Sequence, residues 1–116
     1  MKSPVSIPGV AVFMAVSIAA MPEAFAQSEG VASRGAAFAE QNCARCHGVG
    51  PGDKSSPVPG LAPFRVIANS PGMTGLAIAV WLRTPHNDMP NLVIAAEDRS
   101  DLIAYIVSLR DAGNAK

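Results

Sequence analysis

The sequence predicts an all-α fold, and three observations carry that expectation. Apolar residues recur at helical intervals in two places. Val31, Phe38 and Ala39 do so with Gly35 on the same stripe, and Leu102, Tyr105, Ile106 and Leu109 fall at i, i+3, i+4 and i+7. Between them, positions 48–72 hold five glycines and five prolines, a density that breaks any regular element. No strand pair and no internal repeat can be read anywhere in the chain. Three to four helices joined by irregular loops follow from this pattern.

The first element is a leader. Lys2 gives a thin positive region, and the apolar run Val10 to Ala20 is eleven residues long. That is within the range of an export signal and short of the ~20 residues needed to span a bilayer. Ala24-Phe25-Ala26 fits small-x-small cleavage and makes Gln27 the first mature residue. An uncleaved anchor is the competing reading, because the positive region is weak and carries Pro4 and Pro8. The expectation is residues 1–26 as a cleaved signal and 27–116 as one exported domain, with no stable membrane insertion afterwards.

The mature part balances Lys54, Lys116 and six arginines against eight acids, so its formal charge is zero. Nucleic acid as a partner is excluded by the lack of a basic stripe. So short a chain rarely builds a strong core from its own side chains.

The first mature helix runs from Val31 towards Cys43, with alanines at 36, 37 and 39 favouring it. Gly35 in its interior costs roughly 1 kcal/mol relative to alanine. Either the glycine is merely tolerated or a second helix crosses there and needs close backbone approach.

Next comes Cys43-Ala44-Arg45-Cys46-His47, which contains the only two cysteines of the sequence. Two cysteines with this spacing and a histidine directly after them is the pattern of covalent haem attachment. Each thiolate adds to one porphyrin vinyl group, and on a helical turn residues i and i+3 share a face. His47 is then placed to give the iron a proximal nitrogen. Three other readings stand beside this one. A thioredoxin-like pair needs a strand-helix-strand context that is missing here. A zinc site needs four ligands, and only His86 is left to add. A plain disulfide in an exported chain is the third. Haem attachment is preferred, with one covalent haem c and its iron as the cofactor. A buried porphyrin also supplies the missing core, so the haem-free chain is expected to be poorly folded.

The breaker-rich stretch then has a surface to wrap, which is what a long loop in a compact domain requires. Leu61, Phe64, Val66 and Ile67 are its apolar contacts, with a short helical turn expected at Phe64 to Ala68. Thr74 is the expected N-cap of a helix through about Arg83. Leu76, Ala79, Val80 and Arg83 share one face of it, Trp81 lies off that face, and Thr84-Pro85 stops it. A turn from His86 to Asn91 has Met89 at its centre. Glu97 and Asp98 open the last helix with negative charge at its positive end, and Gly113 is expected to end it.

The second axial position decides what such an iron does. Met89 is the preferred ligand, since Pro90 fixes the backbone beyond it. Met73 reads as packing. His86 reads as a surface side chain, although the loop offers it as an alternative. Met/His ligation raises the potential and leaves no open coordination position.

Together these residues resemble a class I cytochrome c of the small bacterial, periplasmic, monohaem kind. Gly35 and Phe38 stand eight and five residues before Cys43. Asp101-Leu102-Ile103-Ala104-Tyr105-Ile106 looks like the family's last helix, and Thr84-Pro85-His86-Asn87-Asp88-Met89-Pro90 like its axial-methionine loop. The resemblance implies the cytochrome c fold around one haem and an electron carrier, not an enzyme. It would shuttle single electrons between respiratory or dehydrogenase partners as a monomer. The alternatives are a haem subunit of a larger oxidoreductase complex, or a ligand-binding haem protein if the sixth position is open. The resemblance also implies a proline carbonyl accepting from Nδ1 of His47, with Pro59 preferred over Pro57 and Pro63. It implies Trp81 and Arg65 at the haem propionates, with simple packing the other reading of Trp81. Two departures stand out. Mitochondrial members of the family ring the haem edge with lysines that steer acidic partners, and here only Lys54 and Lys116 are left after cleavage; Ala95-Ala96 also replaces a Ser or Thr cap on the last helix.

Overall fold

The computed structural model describes residues 3, 4, 9, 30–86, 88–111 and 113. The expected signal segment and its cleavage site at Ala26 lie outside the described residues, apart from those first three. The order is α1 (Ala32–Asn42), α2 (Phe64–Ala68), α3 (Gly75–Trp81) and α4 (Ala96–Ser108). All regular structure among the described residues is helical. None of these helices is long and apolar enough to cross a membrane.

The frame is the crossing of α1 with α4. A Cβ at Gly35 would fall on the backbone carbonyl of Asp101, and one at Gly30 on that of Ser100. The glycine is therefore the condition of the crossing, which disposes of the merely tolerated reading. Alanine would gain helix propensity, but the two backbones could then no longer touch. Gly30, which precedes the helix, plays the same part and gave no periodic signal.

Charge locks the crossing. Asp101 is 3% exposed, yet every lone pair that matters has a donor. Its carboxylate accepts from the Val31 amide at 2.6 Å and from Arg34 Nε at 2.7 Å. The second guanidinium nitrogen is 3.3 Å from Oδ1 and 3.5 Å from Glu97. The Arg34 hydrogen bond, then the Val31 amide, hold the Asp101 carboxyl below its ordinary range. A buried carboxylate with such partners is satisfied, and it also caps the free amide end of α1, whose N-cap Val31 has no side-chain acceptor of its own.

The expected stripe on α4 is present. Leu102, Ile106 and Leu109 are buried and Tyr105 is half-buried. The helix ends at Ser108 with Leu109 as its cap, five residues before the expected stop at Gly113. Its C-terminal end is tied down by the α2 region instead. Asn69 Nδ2 donates to the Leu109 carbonyl at 3.2 Å, and Asn69 Oδ1 accepts from the Asp111 amide at 2.8 Å. Arg110 donates to the Ala68 carbonyl at 3.3 Å and also to that of Met73. These partners are remote in sequence and invisible to local stop signals. At the other end, α4 starts without a side-chain cap at Ala95, as the sequence implied.

Helix α2 occupies the expected residues. Helix α3 has its expected cap, Thr74 Oγ1 accepting from the Ala77 amide at 3.1 Å. Its α-helical part ends at Trp81, and tighter i to i+3 bonds carry the chain on to Thr84. The face that packs is Gly75 and Ile78, with Gly75 against Ile103 and Val107 of α4. Leu76 and Val80 are exposed, so the grouping of Leu76, Ala79, Val80 and Arg83 does not mark the buried face. A helix of seven residues that is apolar nearly all round carries no usable period.

Candidate haem site

The CxxCH motif grows directly out of α1. Cys43 is the C-cap residue, and its amide donates to Ala39 at 2.8 Å. The Cys46 and His47 amides both donate to the Cys43 carbonyl, at 3.1 and 2.9 Å. This bonding coils Cys43 to His47 into a single turn, which sets residues i and i+3 on a common side. Both thiols are free. Cys43 is buried, and burial, followed by the neighbouring Cys46, pushes its thiol up to about 11.

His47 is oriented by main chain. Its Nδ1 lies 2.9 Å from the carbonyl oxygen of Ala62. A carbonyl can only accept, so Nδ1 carries a proton, and in the neutral ring the lone pair is then on Nε2. That is the tautomer a metal requires, with the second ring nitrogen fixed by a carbonyl. The Phe64 ring stands 5.4 Å away, tilted by 42°, and the Phe64 amide donates to Gly48 at 2.8 Å. A Cβ at Gly48 would collide with the Ser55 carbonyl, so the chain beyond the motif folds tightly back on itself.

The acceptor for His47 is thus Ala62, and the expectation of Pro59, or of Pro57 or Pro63, is corrected. Pro59 and Gly60 are the middle of a turn closed by the Leu61 amide on Val58 at 3.3 Å. Gly60 has φ +86°, as the third residue of a type II turn requires. The chain must complete that turn before a carbonyl can face the imidazole. Ala62 is the residue that does so, just ahead of Pro63, the N-cap of α2.

Met89 lies in a loop between α3 and α4 and is half-buried. It shares a shallow concavity with Trp81, Thr84, Pro85, Pro90 and Leu92. Met73 packs against the core, as the sequence implied. Arg65 ion-pairs with Asp111 at 2.8 Å through one guanidinium nitrogen. Trp81 is half-exposed, and its ring meets that of His86 edge-on, with centroids 5.0 Å apart. Tyr105, whose place on the α4 stripe implies core packing, also donates its hydroxyl to the Val49 carbonyl at 2.6 Å, tying α4 to the loop just after the motif. A buried Tyr needs such a partner, and that is the one signal the sequence held.

The donor set fits a haem better than the alternatives. A thiol pair on one turn with an imidazole presenting a bare Nε2 matches two thioether bonds and one axial nitrogen. Among the described residues, no group of three or more His, Cys, Asp or Glu side chains is placed to hold a metal ion, so a zinc site lacks ligands.

Comparison with known proteins agrees. The cytochrome c family model matches residues 32–110. Cytochrome c-552 of Bradyrhizobium diazoefficiens is 36% identical over 81 residues, which is 68% of this chain and 75% of that protein. No solved structure matches. The chain belongs to the cytochrome c family as a class I c-type cytochrome, an electron-transfer protein with covalently bound haem c.

Proposed function

We propose that the mature chain, from Gln27, is a periplasmic one-electron carrier whose haem is joined through Cys43 and Cys46 and ligated by His47 and Met89. The observation that carries this reading is the Nδ1 contact of His47 with Ala62, which leaves Nε2 as an oriented base beside two free thiols. The bound haem supplies an iron that gains and loses one electron. The rest is done by the chain. His47, with its ring plane fixed by Ala62 and backed by Phe64, would give the iron one nitrogen ligand. Met89, on a loop stiffened by Pro85 and Pro90, would give it a thioether. Such a pair would leave no position open to a substrate, and the soft thioether would raise the potential.

Trp81 is favoured over Arg65 as a propionate partner, because the Arg65 guanidinium is already paired with Asp111. The donor and acceptor proteins would meet a chain of zero formal net charge that carries few lysines. Docking by strong electrostatic steering is therefore not expected.

The test is spectroscopic. The ferric protein should show the weak far-red band of sulfur-to-iron ligation, and Met89→Ala should remove it and lower the potential. A far-red band that survives Met89→Ala rules Met89 out as the ligand. Rapid carbon monoxide binding by the native ferrous protein at neutral pH would point to an open position instead.

A further inference from the structure

We propose that His86 is the positioning residue of the methionine loop, a ring wedged against Trp81 whose own backbone holds Met89. The inference rests on Met89 being the axial ligand. It goes further by naming what keeps the thioether where it is.

Three successive hydrogen bonds lead from the end of α3 to Met89. Thr84 Oγ1 donates to the Val80 carbonyl at 2.9 Å. His86 Nδ1 donates to the Thr84 carbonyl at 2.8 Å. The Met89 amide donates to the His86 carbonyl at 3.1 Å. The chain starts from a firm base, since α3 is seated on α4 through Gly75 and the buried Ile78. Pro85 fixes its own φ and disfavours the helical conformation at Thr84, which limits the paths the loop can take from helix to methionine.

The side chain of His86 is used at both ends. Its Nδ1 is committed to Thr84, and the ring stands at 89° to Trp81 with centroids 5.0 Å apart. That is the favoured edge-to-face geometry for aromatic rings. A solvated surface histidine would show neither contact, and this one is half-buried. Asparagine at this place would keep a donor for Thr84 but lose the ring. Phenylalanine would keep the ring but lose the donor. Histidine supplies both.

The consequence is a loop-open state that is rarer than the loop's length alone would allow. Ligands that need a vacated axial position can bind only from that state, so their apparent rate scales with its population.

The experiment compares holo-protein carrying His86→Ala, His86→Asn or His86→Phe with the parent and with Met89→Ala. Carbon monoxide binding to the ferrous protein and amide hydrogen exchange at Met89 are the readouts, alongside the far-UV unfolding midpoint. His86→Ala should raise both rates roughly tenfold with little change in the midpoint, and the other two should fall between. If all three match the parent while Met89→Ala loses the far-red band, the ligation reading stands and the positioning role is refuted. If Met89→Ala keeps the band, the ligation reading fails and takes this inference with it. If His86→Ala turns the ferric protein high-spin while Met89→Ala does not, His86 is itself the ligand, and both are overturned.

Discussion

Asp101 meets α1 twice. Its carboxylate takes the Arg34 Nε at 2.7 Å, and its main-chain carbonyl fills the space that a side chain at Gly35 would need. One residue of the last helix thereby fixes both the distance and the rotation of the first. The haem motif begins one residue after α1 ends, so this crossing also sets where the two cysteines stand.

Gly35→Ala tests the distance. Helix propensity alone would make it stabilising by roughly 1 kcal/mol. The collision is with backbone, which cannot swing aside, and overpacking of this kind costs about 1–3 kcal/mol. The net effect should be destabilising, read as a lower urea midpoint of the holo-protein.

The carboxylate tests the rotation through pH. Arg34 and the Val31 amide hold the Asp101 carboxyl below its unfolded value. The stability from this lowered group is complete above the unfolded value, about pH 4. It is lost as the pH falls through the lower folded-state value. The urea midpoint should therefore drop on acidification below about pH 4, and drop less steeply in Asp101→Asn, whose midpoint should already be lower at neutral pH.

Tyr105→Phe deletes the hydroxyl on the Val49 carbonyl and leaves a buried acceptor without its donor. The expected cost is about 1–2 kcal/mol by urea unfolding. Desolvation, then Glu40 and Asp53, push the Tyr105 hydroxyl above its ordinary range. Its contribution is whole below the unfolded value, about pH 10, and is lost as the pH rises through the higher folded-state value. The alkaline loss of stability should be smaller in the phenylalanine variant.

Haem removal is the broadest test. Among the described residues the large buried apolar side chains are Phe64, Ile78, Ile94, Leu102, Ile106 and Leu109, which is a thin core for a domain of this size. Haem-free protein should melt without a cooperative transition, measured by far-UV circular dichroism beside the holo-protein. Pyridine haemochrome spectra of the holo-protein should report two thioether bonds, and of Cys46→Ser only one.

What could be read from the sequence was what is written locally. The stripe Leu102, Ile106 and Leu109, the Thr74 cap and the short turn at Phe64 to Ala68 each rest on neighbours within a few residues, and each stands where it was expected; Gly35 could be picked out as costly in a helix, but which of its two readings holds depends on Asp101, far along the chain. The misplaced features depend on partners far along the chain. The stop of α4 is set by Asn69, about forty residues earlier. The resemblance implies Pro59 for the carbonyl on His47, but a turn through Gly60 delays it to Ala62. On α3, apolar residues on every side left no stripe from which to choose the buried face.

That imidazole contact has a further consequence. The oxygen that holds His47 belongs to the peptide backbone at Ala62, and every amino acid owns such an oxygen. Replacement of the methyl group there leaves the anchor in place so long as the local path of the chain is kept. On the proposed ligation by His47, ligand basicity would be changed by bending that path, through Gly60, Pro63 or the Phe64 amide on Gly48. Tuning on that side would be a matter of loop shape more than of the side chain at the contact point.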